Sequence, residues 1–208
     1  MEDVLDVYHR PYDEKYPVVC LDEASKQLIT ALRPDLPPKS GQVRRKDSEY
    51  KRNGTANIFM MFEPLQARRH VRVTNHRKRV DFARAVRELV DVQYPEAQKI
   101  VLVMDNLNTH NIASLYEAFE PAEARRLAKK LEIHHTPKHG SWLDMAEMEL
   151  SVLARQCLGQ YFETRYELAA EIQAWQEQRD AGATAVNWQF TTADARTKLK
   201  RLYPEIIT

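Results

Sequence analysis

A chain of 208 residues is long enough for one sizeable domain with an appendage. Its 43% apolar content, five glycines and formal net charge of +1 exclude a disordered, fibrous or uniformly basic protein. No apolar run approaches the roughly 18 residues of a membrane span, and the acidic start, Met1 to Asp6, lacks the basic-then-apolar pattern of a secretory signal.

In chain order, residues 1–16 read as a polar lead-in. Pro17–Asp22 is an apolar strand, and Lys26–Thr30 a short strand that pairs with a neighbour. Arg33 to Gly54, with Pro34, Pro37, Pro38 and Gly41, predicts a long exposed loop (33–54) of the length that functional insertions have. Thr55–Glu63 and Arg68–Thr74 form a hairpin about Pro64. Asp81–Tyr94 carries a helical stripe that Pro95 ends. The strand Lys99–Asp105 follows, then helices at Asn111–Phe119 and Ala122–Leu131, and a short strand at Glu132–Thr136. Leu143–Leu158 and Arg165–Arg179 are long helices. Residues 181–208 form a polar tail with a short helix at Thr192–Leu202. The order predicts an α/β fold: a mixed sheet with an antiparallel hairpin and parallel strands, flanked by helices and resembling ribonuclease H, with a C-terminal helical extension.

The small net charge hides a basic segment. Lys39 to Arg79 holds 12 Lys/Arg against 3 Asp/Glu, and the remainder is acidic. Such a segment suits a polyanion or a solvated arginine-rich strand face. Cys20 and Cys157 stand alone in apolar surroundings, as reduced thiols of a cytosolic protein do, and no Cys/His cluster has zinc-ligand spacing.

Two apolar strands end in acid: Val18-Val-Cys-Leu-Asp22 and Val101-Leu-Val-Met-Asp105. A strand-end carboxylate is held rigidly yet opens onto the crevice where ligands of α/β sheets bind. Two of them from separate strands suggest a divalent-metal site. A third acid belongs on the helix after the short strand, where Glu147 and Glu149 flank the buried stripe equally. Periodicity does not choose between them.

Three blocks carry a resemblance: VVCLDEASKQLI (18–29), VLVMDNLNTHN (101–111) and HHTPKHGSWLDMAEMELSVL (134–153). Together they resemble the catalytic core of the DDE transposases of bacterial insertion sequences related to the Tc/mariner superfamily. The resemblance covers roughly residues 17–180, which it marks as one ribonuclease H-like catalytic domain. In that family an Asn/Asp-x-x-Glu element closes on the third acid, here Asp144-Met-Ala-Glu147. The resemblance thus implies Asp22, Asp105 and Glu147 as catalytic and metal-holding acids, with Glu149 in reserve. Asp144 stands where the family more often has Asn. The family's helix-turn-helix modules have no room here, so the expectation is a truncated frame, half of a split gene or an excised catalytic domain.

The resemblance implies DNA cleavage and strand transfer at transposon ends with two Mg²⁺ or Mn²⁺ ions, in a bacterial cytoplasm at the nucleoid. Hard cations take oxygen ligands, and two of them activate the attacking oxygen of a phosphodiester and stabilise the leaving one. Asp22, on a central strand, is expected to bridge both ions. Water cuts a transposon end, and the 3′-hydroxyl it leaves attacks target DNA. Two DNAs held at once imply a homo-oligomer on DNA, or association with full-length transposase, and no membrane.

Around these acids, Asn106, Asn108 and His110 are suited to orienting waters, phosphate or Asp105; local turn bonding is the alternative. Arg44, Arg45, Lys51 and Arg52 in the long loop, and Arg68 and Arg69 on the hairpin, are candidate DNA contacts. Lys138, His139 and Trp142 precede the third acid and suit a passing strand. Trp142 serves equally as helix-start packing. Competing functions are another ribonuclease H-like nuclease, a non-catalytic remnant that binds DNA or full-length transposase, and a small-molecule phosphohydrolase.

Overall fold

The computed structural model describes residues 1–33, 41, 49–138, 140–182 and 185–203. Five strands form one sheet: β1 (Val18–Ala31), β2 (Tyr50–Glu63), β3 (Arg68–Thr74), β4 (Ile100–Met104) and β5 (Leu131–His135). Their order is β3-β2-β1-β4-β5. β1, β2 and β3 are antiparallel, while β4 lies parallel to β1 and β5 parallel to β4. The expected mixed sheet is therefore present.

Helices cover both faces because successive side chains of a strand point opposite ways. Cys20, Ile58, Met60, Phe62, Val101 and Val103 face one core, with α1 (Glu2–Tyr8), α5 (Met145–Gln156), α6 (Arg165–Ala181) and α7 (Thr192–Lys198). Val19, Leu21, Phe59, Met61, Leu102 and Met104 face the other. Over that face lie α2 (Arg79–Glu88, running on into a π-helical turn at Leu89–Gln93), α3 (Ala113–Ala118) and α4 (Pro121–Lys129).

Three elements depart from the sequence reading. The lead-in holds α1, whose Val4, Leu5, Val7 and Tyr8 are buried. A seven-residue helix is too short to display a period, and Glu2, Asp3 and Asp6 mask its apolar side. It is tied to α7 by Arg196–Glu2 and by Thr192 Oγ1 donating to Asp6. Second, β1 is continuous, because Asp22 to Gln27 pair with β2 from Met60 to Thr55 despite their polarity. β4 pairs β1 only as far as Leu21 and β3 pairs β2 only as far as Asn57, opposite Ser25, so beyond Ser25 the sheet narrows to a two-stranded ribbon. Third, residues 50–54 of the expected loop belong to β2. Arg44, Arg45 and His139 lie outside the described residues.

The outer edge of the sheet at β3 is covered by α6. Asp180 accepts the Arg69 backbone N–H at 3.3 Å, and Gln176 accepts that of Val71 at 3.0 Å. An edge strand so capped offers little to another chain. No helix among the described residues is long and apolar enough to cross a membrane.

Candidate active site

Strand parity places the two strand-end acids. Cys20 and Val103 point towards α5, so Asp22 and Asp105, two residues further along, point the same way. The last parallel pair is Leu21 with Met104, and the next residue on each strand is an aspartate. β1 runs on through Asp22, whereas β4 ends at Met104 and the chain leaves the sheet at Asp105. Asp22 Oδ1 accepts from the Glu23 N–H at 2.8 Å, and Asp105 Oδ1 from the Leu107 N–H at 2.9 Å.

The N-terminus of α5 closes this corner. Asp144 caps it, its Oδ1 accepting from the Ala146 N–H at 2.9 Å. Glu147 is exposed in the first turn. Glu149, about 200° further round the helix, is buried and paired with Arg69 and Arg179 at 2.7 and 2.8 Å. The structure thus brings Asp22, Asp105, Asp144 and Glu147 together and turns Glu149 away.

The acids feel one another. Burial, followed by the charges of Glu23, Asp105 and Glu147, pushes the Asp22 carboxyl up to about 6 against a backbone bond that lowers it. Asp144 is raised well above the carboxylate range, first by burial and then by Asp22. Its Oδ2 is buried without a hydrogen-bond partner among the described residues. Asp105 is instead held low, chiefly by His110, which donates from Nδ1 at 2.6 Å. His110 is itself buried. Burial opposes its charge, yet Asp105 and Glu23 outweigh that and push it up to about 9.

A crowded set of hard oxygens with one orphaned acceptor fits a divalent cation chemically. Among the described residues no three His, Cys, Asp or Glu side chains form a ready-made cage. Mg²⁺ accepts that arrangement, since it binds through one or two carboxylates and completes its shell with water and phosphate.

The remaining candidates divide. Lys51 and Arg52 are exposed on the ribbon, opposite Thr30 and Ile29. Lys138 is exposed just before α5. Arg69 as a DNA contact is corrected: none of its side chain is exposed, and it bonds Glu149, Asp180 and the Ala67 carbonyl. Arg68 is exposed but stands opposite Glu63 in the β2–β3 register, at the end of the sheet away from the acids. Asn106 is exposed and donates to the Thr136 carbonyl, which ties the turn after β4 to β5. Asn108 is also exposed and offers its carbonyl to Asn111 Nδ2 at 2.7 Å, a turn contact.

Sequence reasoning missed three parts of this corner. Glu23 follows Asp22 directly, and an acid directly after a strand-end acid must face the opposite side. Asp144 stands out in the sequence only by differing from the Asn more frequent in the family, and its burial beside Asp22 is visible only in the fold. The tail supplies Trp188 and Phe190, which no spacing linked to Trp142. Trp142 is 41% exposed and stacks on Trp188, with centroids 6.4 Å apart, while Phe190 meets it edge-on at 5.8 Å.

Residues 17–169 match the family model described as DDE superfamily endonuclease. The crystal structure of the Mos1 mariner paired end complex with Mn is similar, with a TM-score of 0.57 and 14% identity over 87% of this chain and 54% of that one. The Mos1 strand transfer complex gives 0.54 and 13% over 86% and 50%. The chain therefore spans about half the length of these solved chains, and at such identities the likeness shows the ribonuclease H-like fold. A search of curated proteins gave no match.

Proposed function

We propose, from the premise that this chain belongs to the DDE superfamily endonucleases, that it is a transposase catalytic domain. It cuts DNA phosphodiesters at transposon ends and joins the freed 3′-hydroxyl to target DNA. The observation that carries this reading is the convergence of Asp22, Asp105 and Glu147 from two strand ends and a helix N-terminus. The Mos1 structures supply the analogy to a DNA paired end complex and to strand transfer.

Asp22, Asp105 and Glu147 would hold the divalent metal. Mg²⁺ or Mn²⁺ bound there supplies charge neutralisation at the attacked phosphate and at the attacking and leaving oxygens. His110 keeps Asp105 ionised and oriented. Asp144 sets the start of α5, and with it the direction of Glu147. Lys51, Arg52 and Lys138 contact the DNA backbone, and Trp142 lies where a strand passes. The reaction holds two DNAs at once, so the working form is a homo-oligomer on DNA. The setting that suits this chemistry is a bacterial insertion sequence, with the protein in the cytoplasm at the nucleoid.

The test is nicking of end-labelled DNA with Mg²⁺ or Mn²⁺ by wild type, Asp105→Asn, Glu147→Gln and Glu149→Gln. Metal-dependent nicking lost in the first two variants supports the proposal, while a folded Glu149→Gln retains it. Nicking that survives Asp105→Asn overturns the assignment. A folded wild type that binds DNA and never nicks it favours a non-catalytic remnant.

A further inference from the structure

We propose that Glu23 is a positioning residue which, acting through His110, fixes how Asp105 presents its carboxylate; this rests on the reading of Asp105 as a metal-holding acid. His110 lies between the two acids with no side-chain exposure. Its Nδ1 is 2.6 Å from Asp105 Oδ1 and its Nε2 is 2.9 Å from Glu23 Oε2, the latter at a poor hydrogen-bond angle. The Phe82 ring packs against the imidazole at 5.1 Å between centroids.

The arrangement has a cost that packing does not explain. The Glu23 side chain is 2% exposed, and its Oε1 has no hydrogen-bond partner among the described residues. An apolar side chain would fill this place beside Leu21 and Phe82 without burying an unsatisfied oxygen. What the carboxylate adds is a grip on His110 from β1, where Glu23 is fixed opposite Phe59.

Position explains the benefit. The β1–β4 ladder stops at Leu21 and Met104, so nothing in the backbone pairing holds Asp105 to β1. The Glu23–His110–Asp105 chain supplies that link just beyond the last pair, from two residues past Leu21 to one past Met104. Asp105 Oδ1 is then occupied by His110 and by the Leu107 N–H, and the remainder of a carboxylate that is 40% exposed is left for the site. The consecutive acids Asp22 and Glu23 divide the work: one faces the site, the other holds its neighbour from behind the sheet.

Mn²⁺ titration of the full chain, followed by electron paramagnetic resonance of the free ion, tests this. Glu23→Gln is expected to weaken Mn²⁺ binding by about tenfold, the lower end of the effect of outer-shell partners. Its thermal unfolding should stay close to that of wild type. In a His110→Ala background, Glu23→Gln should weaken binding no further, because its effect passes through the ring. If His110→Ala does not fold, Glu23→Leu decides: it fills the volume without the charge and should weaken Mn²⁺ binding as Glu23→Gln does. Unchanged affinity in Glu23→Gln or Glu23→Leu overturns the proposal. So does a full additional loss in the His110→Ala background, which would make Glu23 act independently. A folded wild type with no saturable Mn²⁺ binding overturns the metal reading itself; wild-type binding with a silent Glu23→Gln overturns only the positioning role.

Discussion

Arg69 Nε and Glu149 Oε1 lie 2.7 Å apart in the interior, with side-chain exposures of 0% and 5%. Arg69 also donates to Asp180 at 2.8 Å, and its guanidinium lies 4.8 Å from the Phe62 ring centroid. Glu149 accepts a further bond from Arg179 at 2.8 Å. The cluster locks β3 to α5 and α6, and so fixes the helix that carries Glu147. Glu149→Ala leaves the buried Arg69 guanidinium with Asp180 as its one remaining carboxylate, which costs about 3 kcal/mol, the low end for breaking a buried pair. Urea unfolding should show that loss as a lower midpoint. The double variant Arg69→Met/Glu149→Leu should lose much less, because Arg179 and Asp180, about a quarter exposed, can turn to water.

The same pair sets an acid limit on stability. Burial works to raise the Glu149 carboxyl, but Arg69 and Arg179 hold it below its ordinary value. An acid whose folded value is depressed contributes stability above its unfolded value, about 4.3. That contribution disappears as the pH falls through the lower folded value. Urea midpoints should therefore drop as the pH falls below about 4.3. Glu149→Gln should flatten that part of the profile; an equally steep fall in the variant would assign the acid limit elsewhere.

Asp144 predicts a gain from substitution. Its Oδ2 is buried, has no partner among the described residues, and faces the charges of Asp22, Asp105 and Glu147. Asp144→Asn keeps the α5 cap, since Asn caps helices as well as Asp does. It also replaces the stranded oxygen with an N–H donor beside carboxylates. Stability at neutral pH should rise by about 1 kcal/mol, the low end of the cost of an unsatisfied buried group. A lower unfolding midpoint would show that the acid has a partner worth more than the charge it adds.

Some of this architecture is legible in the chain and some is not, for physical reasons. Apolar runs ending at Asp22 and Asp105 announce central strands, and strand parity then gives both acids one face. Glu147 and Glu149 look equivalent because a helical wheel carries angle but no partners, and Glu149's partners come from β3 and α6. Arg69 misleads for the same reason. In Arg68-Arg-His-Val-Arg-Val-Thr74 the alternation is visible, but not that Glu149 and Asp180 wait beneath one face. Residues 23–25 read as a break because their side chains carry no apolar run, whereas backbone pairing with β2 is indifferent to that.

Helix α1 is the element least visible in the sequence, and it should matter to stability. Leu5 is fully buried in the core that includes Leu143 and Met145, at the start of α5. Leu5→Ala should cost about 2–5 kcal/mol, as large-to-small changes in packed cores do. Chemical denaturation gives the number. A loss under 1 kcal/mol, near the level of surface substitutions, would mean that α1 is only loosely docked.

The ribbon makes a prediction about DNA that separates exposed arginines by place. Lys51 and Arg52 project from the part of the sheet beyond Leu21, on the side where Asp22 and Asp105 open. Arg68 sits level with Glu63 at the opposite end. A phosphate contact releases bound counterions, so each one lost should lower the slope of log affinity against log salt by about 0.9. Anisotropy titrations of a labelled duplex across a salt series should show this for Lys51→Ala and for Arg52→Ala. Arg68→Ala should leave the slope unchanged. The reverse pattern would move the DNA path to the other end of the sheet, away from the acids that are to cut it.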